Sequence, residues 1–166
     1  MADPVMKKQE NSKRCFVCGL KNDFGLKAEF FEVASGEIRA VFTPCDFHQS
    51  YPGRMHGGIA AAVLDEAIGR AVNAGKDEAV WGVTVDLNLK YRKPVPLGER
   101  LVVTGRIVKN GGRVFEGSGE IVLPDGSVAV EATGRYMKLA LDKISDFDAE
   151  AEEWRVVRNA ADPVDF

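Results

Sequence analysis

Arg54-Met55-His56-Gly57-Gly58-Ile59-Ala60-Ala61-Ala62-Val63-Leu64-Asp65-Glu66-Ala67-Ile68-Gly69 is the stretch from which the rest of the chain can be read. Two glycines behind a histidine lead into small apolar residues at helical spacing, interrupted by one acidic pair. The spacing predicts a helix from His56 or Gly57 to about Ala74, stopped by Asn73 and Gly75. Its alanines make it narrow, so it can lie close against another element. A helix opening on glycines offers backbone N–H groups and the positive end of its dipole to an anion or a polarised carbonyl. Gly57 and Gly58 let a ligand approach that backbone, where a developing oxyanion would meet oriented donors.

The acidic pair divides by its neighbours. Glu66 has Arg70 one turn ahead, a favourable ion pair, and reads as a solvated surface residue. Asp65 has Gly58, Ala61, Ala62, Ile68, Gly69 and Val72 at the adjoining helical positions, none of which can neutralise it. A carboxylate on a small apolar face is unfavourable by propensity and desolvation, which marks Asp65 as a candidate for chemistry. The competing reading is an aspartate that accepts hydrogen bonds from a packed strand and fixes register. His56 either orients the loop by hydrogen bonding or sits as a satisfied core histidine, both ahead of direct acid–base work.

Outward from the helix the pattern is β. Leu26–Val33 and Glu37–Thr43 form a hairpin joined by Ala34-Ser35-Gly36. Pro44–Met55 is loop, punctuated by Pro44, Pro52 and Gly53. Val80–Tyr91 alternates, with Val83, Val85, Leu87, Leu89 and Tyr91 expected on a buried face. Arg100–Lys109, Arg113–Leu123 and Ser127–Leu139 follow, joined by Asn110-Gly111-Gly112 and Pro124-Asp125-Gly126. Ser145–Arg158 returns to helical spacing, with Ile144, Phe147, Ala151 and Trp154 on one stripe and Ser145 and Asp148 placed for a capping box. The expectation is an α+β chain: a flexible N-terminal arm or loose helix over residues 1–14, one domain over 15–140, and a helical tail over 141–166 packing on the body.

With 166 residues, 45% hydrophobic and 28% charged, the chain can bury one substantial core. A net charge of −3 argues against nucleic acid as main partner. No apolar run approaches a membrane span and Met1–Glu10 is too polar for a signal peptide, so a soluble, cytoplasmic protein is expected. Three cysteines exclude a disulfide framework. Cys15-x-x-Cys18 and Cys45-x-x-His48 together have the composition of a tetrahedral zinc site, and a zinc-stabilised interaction protein is one rival reading. The other reading of the same residues is a turn whose small cysteines pack under a loop.

Spacing constrains the chemistry further. Gly57 and Asp65 are eight residues apart, about 12 Å along one helix. Two groups acting on one carbonyl must each reach within roughly 3 Å of it or of an attacking water. If both serve the same carbonyl, they come from two antiparallel helices in a dimer. One helix also cannot cover both faces of a six-stranded sheet, which again calls for a partner.

His56-Gly57-Gly58 with Asp65 nine positions after the histidine, Gly82-Val83-Thr84-Val85-Asp86-Leu87-Asn88, and Tyr91-x-x-Pro94-x-x-Leu97-Gly98 resemble the hotdog-fold acyl-CoA thioesterases, in particular the PaaI-like group of the 4-hydroxybenzoyl-CoA thioesterase superfamily. Cys15-x-x-Cys18-Gly19 with Asn22 and Gly25-Leu26 is similar to a variant found in that group. The resemblance runs from Cys15 to about Lys138. It implies a strongly curved antiparallel sheet wrapped around the long helix, a homodimer or dimer of dimers with shared sites, and no metal or bound cofactor. It further implies hydrolysis of an acyl-CoA thioester. Gly57 N–H would polarise the carbonyl, Asp65 of the other subunit would act as base or nucleophile, and Thr84 would place the water. The position six before the histidine, commonly asparagine in the family, is Ser50 here, and the neighbouring Gln49 is the preferred substitute as second carbonyl donor. Lys90, Arg92, Lys93 and Arg113 are candidates for the CoA phosphates. A non-catalytic acyl-CoA binding module on the same fold is the alternative.

Overall fold

A computed structural model describes residues 2–76 and 80–166. Its strands are β1 (Val5–Lys8), β2 (Glu29–Val33), β3 (Ile38–Phe42), β4 (Val80–Tyr91), β5 (Leu101–Asn110), β6 (Val114–Val122) and β7 (Val128–Ala140). Helix α1 spans Gly57–Arg70 and runs on into a 3-10 turn over Ala71–Asn73; α2 is a single turn, Leu141–Ile144. Among the described residues the strands form one antiparallel sheet in the order β1-β2-β3-β5-β6-β7-β4. The chain leaves β3 through α1, lays β4 on the far edge beside β7, and returns to place β5 next to β3.

Helix α1 buries Ala60, Val63, Leu64, Ala67 and Ile68, a spacing of three and four that makes one apolar stripe. That stripe lies against β3, β5, β6, β7 and β4, among Phe30, Ile38, Leu101, Phe115, Ile121 and Tyr136. Two strand glycines set the distance. A Cβ at Gly105 would stand 2.3 Å from the Ala67 carbonyl oxygen, and one at Gly117 would stand 2.3 Å from Ile68 Cγ2. Helix and sheet backbones touch at Gly105, and at Gly117 the Ile68 side chain takes the space of a Cβ, which only glycine permits.

The hairpin, the long helix and the four later strands all form where the pattern places them. Three expectations need correction. The N-terminal segment is no loose helix or free arm: β1 pairs with β2, and Lys8, Gln9, Asn11 and Ser12 are buried. Charge hides this strand from a hydrophobicity pattern, because Lys8 is neutralised in place by Glu29 at 2.8 Å and Asp162 at 2.5 Å.

The alternation of β4 does not give a buried face throughout. Val85 is 52% and Tyr91 55% exposed, because β4 has β7 on one side only and a bulge between Thr84 and Asp86 leaves Val85 out of the register. The helix expected over Ser145–Arg158, finally, does not form; the single turn α2 ends before it, at Ile144. Asp148 caps a local turn by accepting from the N–H groups of Glu150 and Ala151, and Glu153 takes φ 50°, which no α-helix continues through. The tail instead runs back along the body: Asn11 bridges Arg155, Pro4 bridges Asp165, and Trp154 packs on Trp81 with ring centroids 5.2 Å apart.

Candidate active site

Asp65 sits on the face of α1 turned toward β4 and β7, half-buried. Its Oδ1 accepts hydrogen bonds from Thr84 Oγ1 at 2.8 Å and from Tyr136 Oη at 3.0 Å. Register explains the convergence. Thr84 of β4 pairs with Tyr136 of β7, and Tyr136 pairs with Phe115 of β6, so one row of side chains points at the helix. The Tyr136 ring is fully buried and stacks on Phe115 at 5.1 Å. Burial, then the Asp65 charge, pushes the phenol well above its ordinary pKa, so it stays a hydroxyl donor. The bulge at Val85 follows Thr84 directly and ends this row. Residue type alone does not mark Tyr136; the available signal is its place on the inward alternation Val130, Ala132, Gly134, Tyr136, where a buried phenol must find an acceptor.

The neighbouring pair differs from its expected place. Glu66 does bond Arg70, with Oε1 2.8 Å from Nη2 and 2.9 Å from Nε, but Arg70 is buried rather than on the surface. Its guanidinium lies 4.3 Å from the centre of the Phe30 ring and donates to Gln9 Oε1 at 3.3 Å. The second Glu66 oxygen, Oε2, is 3.3 Å from Cys15 Sγ. Cys15 and Cys18 line a cavity of about 250 Å³ together with Asp65, Glu66, Thr84 and Trp154. The Cys15 thiol is drawn below its ordinary pKa by its hydrogen bond with Cys18, whereas that bond and burial push Cys18 up.

The four-residue zinc set suggested by spacing does not assemble. Cys45 is exposed, and both ring nitrogens of buried His48 are engaged, Nδ1 accepting from Cys45 N–H at 2.9 Å and Nε2 lying 2.9 Å from the Phe24 carbonyl oxygen. His48 therefore pins the loop before the helix.

At the start of α1, His56 is the N-cap: its Nδ1 accepts from Gly58 N–H at 2.9 Å, and its carbonyl accepts from Ile59 and Ala60. This leaves Gly57 N–H without a partner among the described residues. The Gly57 carbonyl accepts from Tyr91 Oη at 2.8 Å. Gly57 lines a second cavity, of about 480 Å³, with Ser50, Ala60, Tyr91, Arg92 and Lys93. Gln49 does not line it; its Oε1 accepts from Gly53 N–H within the loop. Arg92 carries an ion pair with Glu131 at 3.1 Å. Lys90 and Arg113 are exposed outside this lining. Within one chain, then, Asp65 with Thr84 and Gly57 with Ser50 belong to different cavities.

The profile of the family described as "Thioesterase superfamily" matches residues 52–130, which hold α1, β4 and the Gly57 and Asp65 positions. A Halobacterium salinarum protein named for a proposed esterase activity is 31% identical over 120 residues, 69% of this chain and 77% of that protein. The chain belongs to the thioesterase superfamily. The rat acyl-coenzyme A thioesterase THEM4 is 31% identical over 147 residues, 85% of this chain and 61% of that protein. The chain spans about 60% of the length of the curated relatives it matches first. The same hotdog fold recurs in a solved structure: the Escherichia coli PaaI protein, from the phenylacetic acid degradation operon, superposes with a TM-score of 0.62 at 17% identity over 69% of this chain and 81% of PaaI.

Proposed function

We propose that the chain hydrolyses an acyl-CoA or related thioester to the free acid and thiol. The observation that carries this reading is Asp65, a half-buried carboxylate held by two hydroxyl donors and open beside the exposed Thr84 at the sheet edge. Thr84 and Tyr136 both bond Oδ1, leaving Oδ2 to act on water or on the thioester carbon. Gly57 N–H is the matching electrophilic half. It is an unpartnered donor at a helix start, on a residue that lines a cavity, where an oxyanion would gain most from it. Such an arrangement favours a hydrolase over a binding module on the same fold, since a binder has no use for an aimed carboxylate.

The two halves complete each other across a pair of chains, one supplying Gly57 and the other Asp65. Support comes from the separate cavities, from the 12 Å estimate along the helix, and from β4, a sheet edge whose Val85 and Tyr91 are half-exposed. The outer face of the sheet also exposes Val108, Val114 and Met137, which suits a dimer or a dimer of dimers. The sheet then curls around α1, in keeping with the five strands that the helix touches. Ser50 is the side chain placed to assist Gly57 at the carbonyl, and Lys93 with Arg92 is placed for the CoA phosphates. A panel of acyl-CoA thioesters followed by free-thiol release tests the activity and finds the acyl group. Asp65→Asn should abolish most of that release; a purified, folded wild-type chain that releases no thiol from any of them would overturn the reading.

A further inference from the structure

We propose that Cys15, Cys18 and Glu66 form a binding site for one thiophilic divalent cation of the zinc class, built between the N-terminal turn and helix α1. The three ligand atoms lie within 4.8 Å of one another, and Cys15 Sγ is 3.3 Å from Glu66 Oε2. A tetrahedral zinc ion holds neighbouring sulfur and oxygen ligands about 3.5–3.8 Å apart. Only small side-chain movements separate the present arrangement from that one.

Local structure prepares the site. Gly19 N–H donates to the Cys15 carbonyl at 2.8 Å and Cys18 N–H to Cys15 Sγ at 3.5 Å, closing a tight turn that brings both thiols to one side. A Cβ at Gly19 would stand 2.3 Å from the Cys15 carbonyl oxygen, so the turn requires glycine. On the helix, Arg70 holds Glu66 by Oε1 and directs Oε2 at the sulfurs. A hydrogen-bonded ligand carboxylate of this kind is oriented before metal arrives. Charge fits as well: two thiolates and a carboxylate against one buried guanidinium leave a double negative charge, which a divalent cation neutralises. Two sulfur donors select zinc-like ions over magnesium or calcium. As the ion enters, the thiols release their protons to solvent.

Three protein ligands leave a fourth position for water or for a group in the adjoining cavity, which the same residues line with Asp65 and Thr84. The ion would fasten the N-terminal segment to the helix that carries Asp65. Neither the ligand set nor its readouts depend on thioester hydrolysis.

The test uses the full chain, reduced, with zinc measured after gel filtration and titrated against a competing chelator. About one zinc per chain is expected. Cys15→Ser, Cys18→Ser and Glu66→Gln should each weaken binding by at least about tenfold, while Cys45→Ser should not change it. In the wild type, zinc should protect Cys15 and Cys18 from a thiol-alkylating reagent and leave the exposed Cys45 reactive, mapped by peptide mass. This second measurement stands even if Glu66→Gln, which also frees Arg70, fails to fold. Substoichiometric zinc in reduced wild type, unchanged affinity in Cys18→Ser, or equal alkylation of Cys15 and Cys45 with zinc present would each overturn the proposal.

Discussion

At the scale of single residues, the proposed chemistry rests on how Asp65 is held. Asp65→Asn keeps the shape and both hydroxyl contacts but removes the charge, and should lower thioester turnover by about 10²–10⁴-fold with unfolding and ligand binding little changed. Tyr136→Phe removes one donor to that carboxylate and leaves the stacked ring. A hydrogen bond to a charged group is worth about 1.5–3 kcal/mol, so turnover should fall by roughly 10–100-fold while KM stays close to wild type, read by steady-state kinetics. Lys93→Ala should raise KM for acyl-CoA but not for the same acyl group on a pantetheine thiol without the nucleotide phosphates; the same change in KM for both would remove Lys93 from phosphate recognition. Asp65 was legible in the sequence because no helical neighbour could neutralise it. Tyr136 was not, because its partner is set by a strand register more than seventy positions away.

Among the elements, α1 and the strands from β2 onward follow from period and turn chemistry alone, since each carries its own apolar pattern. The terminal segments do not. β1 exists because the C-terminal tail brings Asp162 to Lys8, and the tail stays irregular because it follows β1 and the Trp81 surface rather than a helical stripe of its own. Arg70 shows the same dependence: its pairing with Glu66 is local, but its burial needs Phe30, Gln9 and Trp81 from three other segments. Arg70→Met should therefore destabilise the fold by about 3–5 kcal/mol, because it leaves the Glu66 carboxylate partly buried without its cation. Denaturant unfolding measures this directly. A change below about 0.5 kcal/mol, typical of a surface substitution, would contradict the buried role.

For the molecule as a whole, the proposed function divides the chemistry of one helix between two chains. Within a chain the Gly57 cavity and the Asp65 cavity are separate, and under the proposed function an antiparallel pair of helices from two chains would join them. Complementation between two inactive variants tests this. Gly57→Pro deletes the unpartnered N–H at a helix position that accepts proline, and His56, at φ −64° and ψ 135°, already has the backbone that precedes one. Gly57→Ala, which keeps the N–H, controls for crowding against Tyr91. Gly57→Pro and Asp65→Asn chains, each inactive alone, are unfolded together in equal amounts and refolded. If the site is shared, half of the dimers are mixed and hold one intact site of two, so thioester turnover should return to about a quarter of wild type; a mixture as inactive as its parents would show that Gly57 and Asp65 do not act on one thioester across the interface.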